Sequence, residues 1–402
     1  MRPSPRTDHV PGMRRPQFAL LALLLAFSSL STDLYLPAMP TMAETLNAGH
    51  GTLELSVSGF LLGFALGQLL WGALSDRVGR RLPLVAGLLI FIAGSAGCAL
   101  AESAGQLIAF RLIQAIGASA SVVVARAMVR DLFDRDEAAR MLSILTAIMV
   151  IAPMVAPTIG AQILHLGSWR AIFGLLAVLG VGTLASLLTI MPETLPADRR
   201  DRRALISIQA SYLDLVRHRR FMSYALASAF VSAGLFAYVA GSSFAFIDHY
   251  HRSPEVFAGI FAMNSLGVIS ANLVNARLVS RLGSDRLLRI GAGAAAVSSL
   301  LVFASAWGYL GAVALAASLF TFTTSSGFIM ANAISGGMAV SPKGVGAASA
   351  VLGCMQYGGG FIGATLLGVS ANGTLLPLGI VMAIGGIGAA IATRWNRPHP
   401  SA

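Results

Sequence analysis

Apolar residues run along this chain in blocks of about twenty, each closed by a short polar or basic segment. A helix needs ~20 residues to cross a ~30 Å hydrocarbon core, and at that length the pattern predicts about twelve spans. They cover 17–37, 55–74, 82–101, 105–129, 138–163 and 169–191, then 222–246, 256–280, 285–306, 309–333, 344–370 and 372–393. The runs lack the alternation of strands in a membrane barrel, and each unpaired backbone group in lipid costs several kcal/mol. The expected fold class is therefore all-α and integral to the membrane.

Composition agrees, with 56% of residues hydrophobic and 11% charged, against roughly 25% charged in soluble domains. The formal charge of +11 could suit nucleic acid, but its placement excludes that partner and points to the lipid bilayer. Arg2, Arg6, Arg14 and Arg15 precede span 1, Arg77, Arg80 and Arg81 follow span 2, and Arg130, Arg135 and Arg140 follow span 4. Arg199, Arg200, Arg202, Arg203, Arg217, Arg219 and Arg220 separate spans 6 and 7, and Arg281, Arg286, Lys343, Arg394 and Arg397 fall on the same side. The opposite loops hold Arg170 and Arg252. By the positive-inside rule both termini are expected in the cytoplasm. The start, "MRRPQFALLALLLAF", has the outline of a secretory signal, yet its apolar length is that of a full span, no small-residue cleavage site closes it, and eleven spans follow. Cys98 and Cys354 fall inside spans, where free thiols act as small apolar groups.

Between spans 6 and 7 lies the longest polar stretch, "PETLPADRRDRRALISIQASYLDLVRHRR". It divides the chain into a six-helix bundle at 1–191, a cytoplasmic linker at 192–221 and a second bundle at 222–402. Tyr212, Leu213, Leu215 and Val216 suggest a short helix along the membrane face. "LSDRVG" at 74–79 is echoed by "LVSRLG" at 278–283, displaced by 204 residues, after the second helix of each half. The echo fits parallel, pseudo-symmetric repeats.

The loop after span 2, "GALSDRVGRRLPL", resembles the signature of the major facilitator superfamily at Gly72, Leu74, Asp76, Arg77, Gly79, Arg80 and Arg81. Gly72 and Gly79 suit close approach and a tight turn, and Asp76 is placed to pair with arginine. The resemblance implies that fold, twelve helices in two six-helix bundles, and a latch that shuts the cytoplasmic side in the outward-facing state. The alternative is a solvated loop that obeys charge topology alone. In the echo, Ser280 replaces the aspartate.

Span 4 carries Arg111 about six residues into an apolar run, at a cost of at least ~2.5–3.5 kcal/mol. Arg111 and Gln114, at i and i+3, share a helix face, and with Gly117 they resemble the superfamily's fourth-helix motif; snorkelling to the interface is the other reading. Span 5 contains Pro153, Pro157 and Gly160, a pattern that favours a bend and that the superfamily associates with antiport. Ala152 and Ala156 stand where glycine usually precedes proline. Gly59, Gly63 and Gly67 form a small-residue stripe on span 2 suited to close helix contact.

Span 1 ends in "STDLYLPAMP". Asp33 stands ~24 Å along a helix begun at Gln17, with apolar residues continuing beyond it. An ionised acid there is costly, so it should face the bundle interior or a wet cavity where it can exchange a proton. Capping a bend at Pro37 near the outer mouth is the alternative. "DLYLPAMP", with "VRDLF", "WRAIF" and "PETLP", resembles the Bcr/CflA drug-resistance branch. That resemblance implies export of small drugs, of the bicyclomycin, sulfonamide or chloramphenicol-like kind, in exchange for protons across a bacterial inner membrane. In that scheme Asp33 carries the proton, Arg111 tunes it, and Tyr35 and Gln114 line the substrate cavity, with Asn332 and Gln356 as weaker candidates. Some multidrug relatives carry a second acid two turns earlier, where this chain has Leu25.

The only lysine, Lys343, is followed by Gly344 rather than the Ser or Thr of a P-loop. A proton gradient, with no cofactor, is the expected energy source. Twelve spans suffice for a monomer. A proton symporter for a metabolite is the competing transport reading. A membrane enzyme or receptor is the reading from another class, although the histidines form no metal or acid–base set beyond Asp248, His249 and His251 in an outer loop.

Overall fold

A computed structural model describes residues 15–133, 135–200, 213–308, 310–340 and 345–394. Arg2, Arg6, Arg14, Arg202, Arg203, Tyr212, Lys343 and Arg397, named above, lie outside the described residues.

Among the described residues twelve long helices run back and forth: α1 Arg15–Asp33, α2 His50–Val78, α3 Arg81–Ala99, α4 Ala104–Leu132, α5 Arg135–Leu166 and α6 Arg170–Ile190, then α7 Arg219–Ser243, α8 Pro254–Leu282, α9 Ser284–Ala306, α10 Ala312–Val340, α11 Val345–Ser370 and α12 Leu376–Arg394. Among the described residues eleven spans are long and apolar enough to cross a membrane, and the apolar part of the 32-residue α5 is Ile151–Leu166. This is a multi-pass membrane protein. The apolar runs locate every helix; they overrun α6 by one residue at each end and the start of α12 by four, and they understate both ends of α2, α4, α5 and α8, whose terminal turns reach the polar interface and no longer need apolar side chains. Span 1 is the largest such case: it continues past 37 through a 3-10 turn, Leu36–Ala38, and a helix, Met39–Thr45.

Helix pairing repeats between the halves. In the first, α4 lies against α2, α3 and α1, with α5 on α1 and α6 on α3. In the second, α10 lies against α8, α9 and α7, with α11 on α7 and α12 on α9. Across the seam α2 meets α11 and α5 meets α8, pairings that the same two-fold relation exchanges. The sequence echo falls on equivalent turns: Gly79 ends α2 at φ +100° and Gly283 ends α8 at φ +76°, a conformation that side-chain-bearing residues resist. In the linker, residues 213–217 are helical, and Leu215 is buried with Phe221, Ala225 and Leu352.

Since lipid tails are as apolar as Leu, contacts between these helices depend on close backbone approach. The Gly59, Gly63 and Gly67 stripe supplies it between α2 and α4: a methyl group on Gly63 would collide with the Leu112 carbonyl, and one on Gly67 with the Ser119 hydroxyl. Gly72 is different, for the nearest atom its methyl would meet is Val123 Cγ1 at 4.0 Å, so close approach does not explain that glycine. Cys98 is buried, Cys354 half-buried, and both are free thiols.

Gly63→Val should therefore lower the melting temperature of the purified protein by several degrees, as overpacking costs typically ~1–3 kcal/mol. Gly174→Ala, with nothing within 4 Å of the added methyl, should leave it unchanged; equal melting of both variants in a thermal unfolding assay would refute the close-contact account.

Candidate functional site

The helical break in span 1 organises the site. Pro37 has no N–H for the carbonyl four residues back, that of Asp33, and its ring crowds that position. So α1 stops at Asp33, and the chain turns through Leu34 and Tyr35 before Leu36–Ala38 resumes it. The Leu30 carbonyl is satisfied by the Leu34 N–H at 3.2 Å. The Ser31 carbonyl is taken by another helix, where Arg111 Nη1 on α4 donates to it at 2.7 Å. A cation at a helix C-terminus also meets the negative end of the helix dipole. Asp33 is thus left ~18 Å short of the span's far end at Thr45, inside the protein and 6% exposed.

Arg111 is fully buried, so it does not snorkel. The same Nη1 donates to Gln114 Oε1 at 2.6 Å, and Gln114 Nε2 donates to Ser95 Oγ at 2.8 Å. The guanidinium carbon lies 4.4 Å from the Tyr35 ring centre and 4.3 Å from that of Phe60, contacts worth ~2 kcal/mol or more when desolvated. Nε and Nη2 have no hydrogen-bond partner among the described residues. Arg111 acts electrostatically on Asp33, and no ion pair joins them among the described residues. Tyr35 donates to or accepts from Ser56 Oγ at 3.0 Å. Tyr238 on α7 and Tyr357 on α11 also lie within electrostatic range of Asp33, so the acid faces the seam between the halves. Gly160 holds α5 on this turn: a methyl there would collide with the Leu34 carbonyl. The helix continues through Pro153 and Pro157 as one element.

The proposed cavity residues separate into different settings. Tyr35 and Gln114 are fully buried against helix neighbours. Asn332 ties α10 to α8, its Nδ2 donating to Asn275 Oδ1 at 2.6 Å and to the Phe328 carbonyl at 2.8 Å. Gln356 on α11 is half-buried, one residue before Tyr357. Tyr357 packs on Phe64 across the seam with ring centres 4.6 Å apart, a role that apolar periodicity concealed.

At the basic face the 72–81 loop forms a second cluster. Arg80 is 7% exposed and donates through Nε to Asp131 Oδ2 at 2.7 Å, with Nη1 to Asp76 Oδ1 at 2.5 Å and to Ser75 Oγ at 3.0 Å. The backbone N–H groups of Arg80 and Arg81 donate to Glu193 at 2.8 and 3.1 Å. Partial burial acts to raise the Glu193 carboxyl, but N–H donors from Leu195, Arg80, Arg81 and Thr194 outweigh it and hold it below its usual range. Arg81 Nη2 caps the Leu188 carbonyl at the end of α6 at 2.6 Å. The reading from sequence gave the acidic role to Asp76, which is 56% exposed here. Asp76 does pair with Arg80 as expected; Asp131, in "VRDLF", is a second carboxylate on the same guanidinium, and Glu193, in "PETLP", holds the backbone beside it. These bonds brace α2, α3, α4 and α6 of one half to each other.

The model of the Major Facilitator Superfamily matches residues 21–364. An uncharacterized MFS-type transporter of Bacillus subtilis, YdgK, is 33% identical over 90% of both chains. A bicyclomycin resistance protein homolog of Haemophilus influenzae is 28% identical over 89% of this chain and 90% of its own. A chloramphenicol resistance protein of Pseudomonas aeruginosa is 32% identical over 72% of this chain and 69% of its own. Among solved structures, the nucleoside transporter NupG superposes with a TM-score of 0.76 at 14% identity, over 94% of this chain and 97% of that one, a likeness of fold. With a family model across most of its length and that fold beneath it, this chain belongs to the Major Facilitator Superfamily of membrane transporters.

Proposed function

We propose that this chain is a proton-coupled antiporter that exports small-molecule drugs, of the bicyclomycin, sulfonamide or chloramphenicol-like kind. It works by alternating access in a bacterial inner membrane, as a monomer with both termini cytoplasmic. The observation that carries this reading is Asp33, an acid 6% exposed at the break of α1, facing the seam, with no hydrogen bond or ion pair among the described residues. An ionised carboxylate so placed is costly unless a ligand compensates it. Two ligands can do so, a proton or a drug bearing a donor or positive charge, and their competition for one carboxylate is the coupling. Names of relatives that refer to bicyclomycin and chloramphenicol resistance support the cargo class.

Ionised from the cytoplasmic side, Asp33 accepts the drug; protonated from outside, it releases it. The Arg111 charge, held at the Ser31 carbonyl, acts on Asp33 without pairing with it. Alternation opens and closes the α2–α11 and α5–α8 seams while the bracing around Arg80 keeps the first half rigid. No cofactor enters, since one charge crossing 100 mV supplies ~2.3 kcal/mol and each pH unit ~1.4 more.

Asp33→Asn should abolish drug resistance at matched membrane abundance, and proteoliposomes holding it should no longer accumulate drug when a pH gradient is imposed. Unchanged export by this variant would sever the coupling. Arg80→Ala should destabilise the protein by an amount near the lower end of the ~3–5 kcal/mol expected for breaking a buried ion pair. Asp131→Asn, which keeps the shape and loses the charge, should cost less, and thermal unfolding of both checks the order.

A further inference from the structure

Four residues into α2, Glu54 is a buried acid that the mechanism above does not use. It is 5% exposed, and its Oε2 has no hydrogen-bond partner among the described residues. It lines a cavity of about 340 Å³ together with His50, Gly241, Asp248, Leu367 and Asn372, so three parts of the chain enclose it: the start of α2, the end of α7 and the α11–α12 connection. Only α2 among them belongs to the first half. Elsewhere along this mouth the halves are tightly joined, as a methyl on Gly51 would collide with the Gly368 carbonyl, and His165 at the end of α5 pairs with Glu255 at the start of α8.

We propose that Glu54 is a second proton-binding carboxyl, loaded as this mouth closes and unloaded as it opens. The proposal rests on the antiport reading for its place in the cycle. Its physical basis is separate. A carboxylate 5% exposed, with one oxygen fully buried and unpartnered, is costly to ionise, so the closed mouth favours protonated Glu54. The groups that could ionise it instead are engaged or exposed. His50, one turn earlier, pairs with Asp248 at 3.2 Å and stacks on Phe244 at 4.2 Å. His249 and His251 are exposed at the rim. Glu44, whose charge acts on Asp248, adds a like charge. No charged residue faces Glu54 from the α11 or α12 side of the lining.

When the halves part, Glu54 leaves with α2 while Gly241 and Leu367 leave with α7 and α11. Water then surrounds the carboxyl, and its proton passes to solvent. The closed mouth therefore binds one more proton than the open one, and by linkage acid favours closure while rising pH favours opening. On the proposed orientation this mouth faces outward, so an acidic exterior drives the unloaded carrier shut on that side and toward its inward-facing state. The His50–Asp248 pair lies in the same mouth, so the test must separate the two.

The test uses the full chain in lipid nanodiscs, with Cys98→Ser and Cys354→Ser and with spin labels on Thr52→Cys and Asn372→Cys, both exposed positions on opposite sides of the mouth. Pulsed electron resonance distances are read at pH 5.5 and 8.5 without drug. The expected result is a shift toward longer distances at high pH, the open-to-closed ratio changing by up to about tenfold per pH unit for one proton. Glu54→Gln should stay short at both pH values, and His50→Gln should keep the shift. A Glu54→Gln protein that responds like its parent overturns the proposal, as does a parent with no shift or a shift abolished by His50→Gln alone. Failure of the export reading would appear elsewhere, as a parent conferring no drug resistance while its mouth still opens with pH.

Discussion

The structure depends on one capped helix end inside the membrane. A proline stops α1 within its span, and the carbonyls it frees would be costly in a low-dielectric setting. Arg111 is an equally costly charge on a neighbouring helix. Joined through the Ser31 carbonyl at 2.7 Å, and with the guanidinium over the Tyr35 and Phe60 rings, the two defects satisfy each other. Removing either would leave the other exposed, and this mutual need fixes α1 against α4 at the level of Asp33.

Around that junction, small residues set how near the helices come. Gly63 and Gly67 bring α2 onto α4, and Gly160 brings α5 onto the Leu34 turn beside Asp33. Both α2 and α5 are also the first half's helices at the seam, facing α11 and α8. Asp33 is therefore one contact away from the helices that form the seam. The cluster around Arg80 lies at the other end of α2 and binds it to α3, α4 and α6.

Much of this was legible in residue order. Asp33 and Arg111 stood out because charges within apolar runs are expensive, and Gly79 because its loop matched a known signature and its echo fell on Gly283. Other residues were hidden for physical reasons. Asp131 and Glu193 lie at polar span ends, where acids are unremarkable until an arginine is seen to reach them. Glu54 stands just ahead of the apolar run at 55–74, and its burial is invisible in sequence. Tyr35 and Gln114 were expected to line a cavity; their hydroxyl and amide are turned to Ser56 and Ser95.

Sequence by itself determined the solvent and the number and order of helices, because the cost of exposing backbone and charge to lipid acts residue by residue and needs no knowledge of neighbours. Tertiary structure alone decided that Arg80 reaches Asp131 as well as Asp76, that Arg111 caps a broken helix instead of pairing with Asp33, and that Glu54 is buried at the seam. Those outcomes turn on distances of about 3 Å between residues tens of positions apart, and such distances exist only once the helices have packed.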